Sequence, residues 1–290
     1  PKDFKDLQNQ RYSIIHTDQF IAMDDEVITA IRSKKKSSMR LGINAVKNKE
    51  AEACVSAGNT GALMALSKII LKMIPGIDRP AICGSLPTKN GQCYILDLGA
   101  NIECDAKHLY QFSILGSALV QSLEISEKPI IGLLNVGSEE FKGNNTIKEA
   151  GQILQESNLN YAGFIEGDEM FNGNHDVIVS DGFAGNIALK SIEGVAQLIS
   201  HFIRTEFNKS LLTKISAILS YPVMKAVKKK VDPRKYNGAS LLGLQGVVVK
   251  SHGGADAYAF SQAIDTAYFE VKNQILDKIE SLVQSEGSYE

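Results

Sequence analysis

Five times along the chain, a short and almost continuously apolar run leads into a polar, glycine-bearing turn and then into apolar residues at helical spacing. The units are "AEACVSAGNTGALMALSKIILKMI", "QCYILDLGANIECDAKHLYQFSILGSALVQSL", "PIIGLLNVGSEEFKGNNTIKEAGQILQES", "HDVIVSDGFAGNIALKSIEGVAQLI" and "GVVVKSHGGADAYAFSQAIDTAYFEV". Their lengths and side chains do not match, so they share architecture and are not the repeats of a solenoid. Strands apolar along their whole length, each followed by a helix, predict an α/β fold: a three-layer, doubly wound, mostly parallel sheet covered on both faces. In such a sheet each strand-to-helix turn leaves at the carboxyl edge, so the five polar turns are expected to converge on one rim.

The stretch from Leu198 to Val231 departs from this pattern, with helical periodicity, no strand, Pro222 inside the run and a basic end. It predicts one or two amphipathic helices, joined or kinked near Asn208 and Pro222, standing off the core. The expected organisation is therefore a core in two parts, 1–197 and 232–290, interrupted by a protruding segment, 198–231.

Composition narrows the function classes. With 290 residues, 44% hydrophobic and 22% charged, the chain is long and apolar enough to bury a sizeable core. A net charge of -2 argues against a surface devoted to nucleic acid. Cysteines 54, 83, 93 and 104 lie in or beside apolar runs without metal-type spacing, and read as reduced fillers with no metal site. No apolar run has the length of a membrane span and no signal-peptide succession is present, so a cytoplasmic location is expected. The opening stretch "PKDFKDLQNQR" is polar and carries no strand signal.

No strand-helix junction carries a G-x-G-x-x-G fingerprint, a P-loop, a G-x-S-x-G elbow or an H-E-x-x-H pair, and no nucleotide or other cofactor is expected. The remaining chemistry is that of anions. In "SAGNTGA", Ser56, Gly58, Asn59, Thr60 and Gly61 are candidate phosphate binders, because backbone N–H groups and the positive end of a helix dipole meet there. The same residues equally suit a capped helix packed closely on its strand. Lys142 and Asn144 in "NVGSEEFKGNN" supply a candidate electrophilic cation and a donor, although a lysine in a turn is ordinarily solvated. Asp181 in "SDGFAGN" is a candidate for proton handling or simply a turn cap. Of the five histidines only His252, in "KSHGGADA", lies in such a turn, where it suits proton transfer near neutral pH. Asn101, Asn186 and Gly253 complete the set as candidate substrate contacts. Lys225, Lys228, Lys229 and Lys230 form a basic end that suits an acidic protein partner or an anionic membrane surface, against the plain alternative of a solvated helix face.

The segments "SAGNTGALM", "GIDRPA", "SLPT", "LDLGANIECDAKHLYQF", "GLLNVGSEEFKGN", "DVIVSDGFAGNIALK" and "YNGASLLGLQGVVVKSHGGAD" occur in this order from about Tyr12 to the C-terminal helix. Together they resemble the bacterial phosphate acyltransferase family. The resemblance implies a fold like that of phosphotransacetylases and isopropylmalate dehydrogenases, and a homodimer that is soluble or peripherally associated with anionic membrane. It also implies acyl carrier protein and inorganic phosphate as substrates, with a long-chain acyl phosphate formed without metal or nucleotide and passed to glycerol-3-phosphate acylation. The family opens with a strand and an Asp-Ala-Met-Gly-Gly-Asp turn that has no counterpart before "YSIIHTDQFI". Two other readings stand beside this one: a short-chain phosphotransacetylase-type enzyme using acyl-coenzyme A, and a non-catalytic scaffold binding carrier protein or membrane.

Overall fold

The computed structural model describes residues 12–286, so the polar stretch 1–11 lies outside the described residues. Among the described residues there are eight strands: β1 (Ala53–Ser56), β2 (Ala81–Thr88), β3 (Gly91–Leu96), β4 (Ile131–Leu134), β5 (Tyr161–Ile165), β6 (Val177–Val179), β7 (Ala239–Leu242) and β8 (Val247–Lys250). They form one sheet in the order β1-β8-β7-β2-β3-β6-β4-β5. The helices are α1 (Val27–Ser33), α2 (Ser38–Lys47), α3 (Thr60–Leu71), α4 (Ala106–Ser122), α5 (Asn145–Glu156), α6 (Gly182–Asn208), α7 (Leu211–Lys230), α8 (Ala257–Lys272) and α9 (Ile275–Glu286). The five strand-helix units of the sequence are β1-α3, β3-α4, β4-α5, β6-α6 and β8-α8.

Four strand pairs are parallel, β1·β8, β3·β6, β6·β4 and β4·β5. Around the centre, β8·β7, β7·β2 and β2·β3 are antiparallel. Three successive reversals turn β3, β4, β5 and β6 against β1 and β8. The expectation of one shared rim is therefore corrected: the turns after β1 and β8 leave one edge, and those after β3, β4 and β6 leave the opposite edge. The cause is β2 and β7, two strands outside the strand-helix pattern.

The register nevertheless brings the two edges close together. One half of the sheet is crossed by the row Val55, Val249, Ser240, Cys83. The next residue of β2 starts the row that crosses the other half, Gly84, Ile95, Ile178, Gly132. Strands β1 and β8 end one residue past the first row, and β3 and β6 end one residue past the second. Both carboxyl edges thus lie at a step in mid-sheet, pointing in opposite directions.

Side-chain alternation divides the core in two. One face, with Cys83, Leu96, Val177 and Val249, packs against Phe112 and Leu115 of α4, Leu154 of α5, Ala263 of α8 and Ile279 of α9. On the other face, Cys54, Ile82 and Val248 pack under Leu63 and Leu66 of α3. Still on that face, Leu86, Ile95 and Ile178 pack under Ala188, Leu189 and Ile192 of α6. Leu98, in the turn after β3, belongs to both of these clusters and forms the seam between α3 and α6.

Helices α6 and α7 form a projecting hairpin. With 27 residues, α6 is about 40 Å long at 1.5 Å per residue, far more than its strand can cover. The expected segment boundary at 198 falls inside α6, which runs unbroken from the core to Asn208. Pro222 lies within α7 without ending it, and no residue of α7 is buried. Apolar residues remain exposed along both helices, among them Leu198, Ile199, Phe202, Ile218 and Leu219. Among the described residues no helix is long and apolar enough to cross a membrane.

Candidate active site

The turn after β1 is organised around Asn59. Its Oδ1 caps α3 by accepting the Ala62 N–H at 3.0 Å, while its Nδ2 donates to the carbonyls of Met23 and Asp25 at 2.9 and 3.3 Å. Asn59 is thus a cap and a tether, with both ends of its side-chain amide engaged by protein. Its carbonyl also accepts the Leu63 N–H, which leaves Thr60 and Gly61 as the first-turn N–H groups of α3 without a partner among the described residues. Ser56 closes the other side of the turn, its Oγ accepting the Gly58 N–H at 3.2 Å. A Cβ at Gly58 would lie 2.7 Å from the terminal methyl of Met39, so the turn packs closely against α2 there.

The His252 turn lies alongside. The Ser251 N–H donates to the Ser56 carbonyl at 2.9 Å, and a Cβ on Gly253 would come within 3.6 Å of the Ala57 carbonyl. His252 Nδ1 accepts the Gly254 N–H at 3.0 Å, so the neutral ring carries its proton on Nε2. Asn237 anchors this turn, accepting the His252 N–H at 2.8 Å and donating to Ser251 Oγ at 2.9 Å and the Ala259 carbonyl at 2.6 Å. The cue was present in the sequence, since Asn237 stands in "YNGAS" just before a strand, but its partners are far along the chain.

At the opposite edge, Asp97 organises the turn after β3, and its N–H donates to the Ser180 carbonyl in the turn after β6 at 2.9 Å. The buried Asp97 carboxylate accepts the N–H groups of Ile82, Ala100 and Asn101 and the Asn101 Nδ2, at 2.9, 3.1, 2.6 and 2.9 Å. Burial still raises its pKa, although all four bonds pull the other way. Asn101 Nδ2 also donates to the Pro80 carbonyl at 2.8 Å, so both of its amide hydrogens are engaged within the protein. Gly182 donates its N–H to the Asn101 carbonyl at 2.7 Å, Gly185 lies on the Asp97 carbonyl and Asn186 lies against Gly99. Asp181 caps α6 by accepting the Ala184 N–H at 2.7 Å.

Lys142 and Asn144 stand apart from these residues. Their turn follows β4, five strands from β8 in the sheet. At about 4.8 Å per strand that is roughly 24 Å. The Lys142 turn and the His252 turn thus follow strands that lie in different halves of the sheet. Lys142 is ion-paired with Glu139 at 2.8 Å, which raises the lysine pKa and lowers that of the glutamate. Asn144 accepts the Ile147 N–H at 2.9 Å as the cap of α5. Lys225, Lys228, Lys229 and Lys230 are exposed at the end of α7.

The caps rank the helix ends as anion sites. Asp105, Asp181 and Asp256 cap α4, α6 and α8, and each carboxylate offsets the positive end of its helix. Only neutral asparagines cap α3 and α5. Neither end carries an acidic residue in its first turn; the turn before α5 holds the Glu139–Lys142 pair, and the α3 end lies beside the segment 23–26 through the bonds of Asn59 to Met23 and Asp25. Among the described residues no group of three or more His, Cys, Asp or Glu is placed to hold a metal ion. All four cysteines are free thiols; burial raises the pKa of each, to about 11 at Cys54 and about 12 at Cys93 and Cys104.

Comparison with known proteins agrees with this architecture. Residues 2–278 match the family model described as fatty acid synthesis protein. A phosphate acyltransferase of Paraburkholderia xenovorans is 54% identical over 279 residues, spanning 96% of this chain and 76% of the relative. One from Methylococcus capsulatus is 50% identical over 278 residues, spanning 96% and 82%. Among solved structures, a phosphotransacetylase from Streptococcus pyogenes aligns with a TM-score of 0.55 at 18% identity, covering 82% of this chain and 67% of that one. A branched-chain phosphotransacylase from Enterococcus faecalis aligns at 0.52 and 13% identity, covering 87% and 82%. At such identities these two share the fold alone. On the sequence match, the chain belongs to the bacterial phosphate acyltransferase family, enzymes that transfer an acyl group to phosphate in fatty acid and phospholipid synthesis.

Proposed function

We propose that the chain takes a long-chain acyl group from the thioester of acyl carrier protein and gives it to inorganic phosphate, and that the acyl phosphate formed serves glycerol-3-phosphate acylation. One observation supports this above the others: the α3 end, capped by neutral Asn59, stands beside the His252 turn. Phosphate docks on the Thr60 and Gly61 N–H groups at the positive end of α3. One of its oxygens attacks the thioester carbonyl carbon. A C–O bond forms, the C–S bond breaks, and the thiolate leaves. His252 Nε2–H gives the thiolate its proton and regains one from the hydrogen phosphate, so that proton ends on the carrier thiol. Hydrogen phosphate is already anionic, so positioning matters more than a strong base.

In this reading Asp181 and Asn186 hold the turns after β3 and β6 in place, Gly253 lets the His252 turn approach the α3 turn, and no step is assigned to Lys142 or Asn144. The lysines at the end of α7 receive the acidic surface of the carrier protein. The exposed apolar residues of the hairpin make the homodimer contact and, at an anionic membrane, a peripheral one.

The test is phosphate-dependent thiol release by the purified chain from acyl carrier protein and, in parallel, acyl-coenzyme A, with the acyl phosphate trapped by hydroxylamine. Phosphate-dependent turnover favouring the carrier substrate is expected. Preference for short acyl-coenzyme A would replace this reading with the phosphotransacetylase-type one, and cleavage indifferent to phosphate would end both.

A further inference from the structure

On the reading that phosphate docks at α3, we propose that Lys250 is its binding cation. Lys250 ends β8 directly opposite Ser56, the last residue of β1. In a parallel pair, opposed residues point to the same face of the sheet. Two residues earlier on each strand, Cys54 and Val248 pack under α3, so Ser56 and Lys250 leave the sheet on the α3 side. The Ser56 hydroxyl is already part of the phosphate turn through Gly58. The lysine stem therefore runs alongside the residues that shape the first turn of α3.

The charge state of Lys250 sets it apart from the other candidates. It is half-buried, and its ammonium donates to the Ser251 carbonyl. It enters no ion pair with a carboxylate among the described residues, and burial lowers its pKa with no acidic group opposing. An ammonium partly withdrawn from water without a counter-charge is costly unless an anion joins it. Of the acidic segment beside Asn59, Asp25 has its carboxylate engaged by Lys34 and the Ala22 N–H, and its neighbours Asp24 and Glu26 are exposed to solvent. Lys142, by contrast, already has Glu139. A compact ammonium with three donors, one of them used, suits phosphate oxygens at a site where backbone N–H groups supply the remaining contacts.

The experiment uses the full chain and two variants, Lys250→Met, which keeps an apolar stem, and Lys250→Gln, which keeps a donor. The KM for phosphate is expected to rise about 10- to 100-fold in both, as for loss of a charge-assisted hydrogen bond, while the KM for the acyl donor moves less than about threefold. Independently of turnover, inorganic phosphate should raise the Tm of the wild type and leave that of each variant unmoved. An unchanged phosphate KM, or an undiminished phosphate-induced Tm rise, in either folded variant would overturn the assignment. If the wild type shows the phosphate-induced Tm rise but no thioester cleavage, the functional reading fails and the role of Lys250 is still decided by the Tm arm.

Discussion

Glu270 of α8 is 2% exposed and lies deep in the core, where its carboxyl accepts a hydrogen bond from the equally buried Ser240 of β7. Burial pushes its pKa from the ordinary 4.5 to about 7, opposed only in part by the serine. The folded state therefore holds this proton more tightly than the unfolded chain. The resulting stability is fully present below about pH 4.5 and is lost as pH rises through about 7. At about 1.4 kcal/mol per pH unit, that gap amounts to roughly 3 kcal/mol. Glu270→Gln keeps the shape and the acceptor for Ser240 and removes the titration. Urea unfolding of both proteins, at one protein concentration and at pH values from 4.5 to 8.5, isolates the effect, because every other carboxylate cancels in the difference. The stability of the wild type relative to the variant should fall by roughly 3 kcal/mol across that range, with most of the loss complete by pH 8. Parallel curves would show that the carboxylate is ionised at no cost in the core, and would refute the reasoning.

At Gly185 an alanine methyl would collide with the Asp97 carbonyl, so Gly185→Ala should lower Tm and cost about 1–3 kcal/mol in urea unfolding. Asn59→Ala removes the cap of α3 and the tether to Met23 together; a loss of about 1–2 kcal/mol is expected, with a higher phosphate KM as the first turn frays. Lys142→Met should leave the phosphate KM within about twofold of wild type, since its exposed, solvent-screened pair with Glu139 contributes little and the turn follows β4, five strands from β8 in the sheet. Changing Lys228, Lys229 and Lys230 to glutamate should raise the KM for acyl carrier protein at low salt, an effect that fades as salt shortens the screening length to ~10 Å at 0.1 M.

The five strand-helix units are legible because a strand buried on both faces must be apolar throughout and its helix must carry a stripe. What the pattern does not carry is direction. β2 and β7 read as short apolar runs without a helix after them, and their reversal sets the two sheet halves against each other. One cue was available: Lys89 and Asn90 form a two-residue loop between Thr88 and Gly91, which pair across the β2–β3 hairpin. Lys142 drew notice because it sits among glycines and asparagines, yet its partner Glu139 lies three residues away and neutralises it. Lys250 escaped notice for the opposite reason. A lysine at a strand end is ordinarily solvated, and the burial of this one depends on β1, which lies nearly two hundred residues earlier in the chain and becomes its neighbour only in the folded sheet.

The reversal of direction has a chemical consequence. Had all five turns shared one rim, the carboxylate caps Asp181 and Asp256 would have stood in a row with the α3 end and competed with any phosphate there. Instead, β2 and β7 send the Asp181 turn to the other edge, with Leu98 and its apolar seam between α6 and α3. On the near edge the one carboxylate cap is Asp256, and Arg234 binds its second oxygen at 3.0 Å while also pairing with Asp232. The Ala259 N–H at the start of α8 and the Arg234 guanidinium together hold the Asp256 carboxyl below the usual range. The α3 end is thus the position in the fold where, on the proposed reading, a helix dipole, small residues and a half-buried lysine would meet an incoming anion, with the carboxylates of Asp25 and Asp256 already engaged.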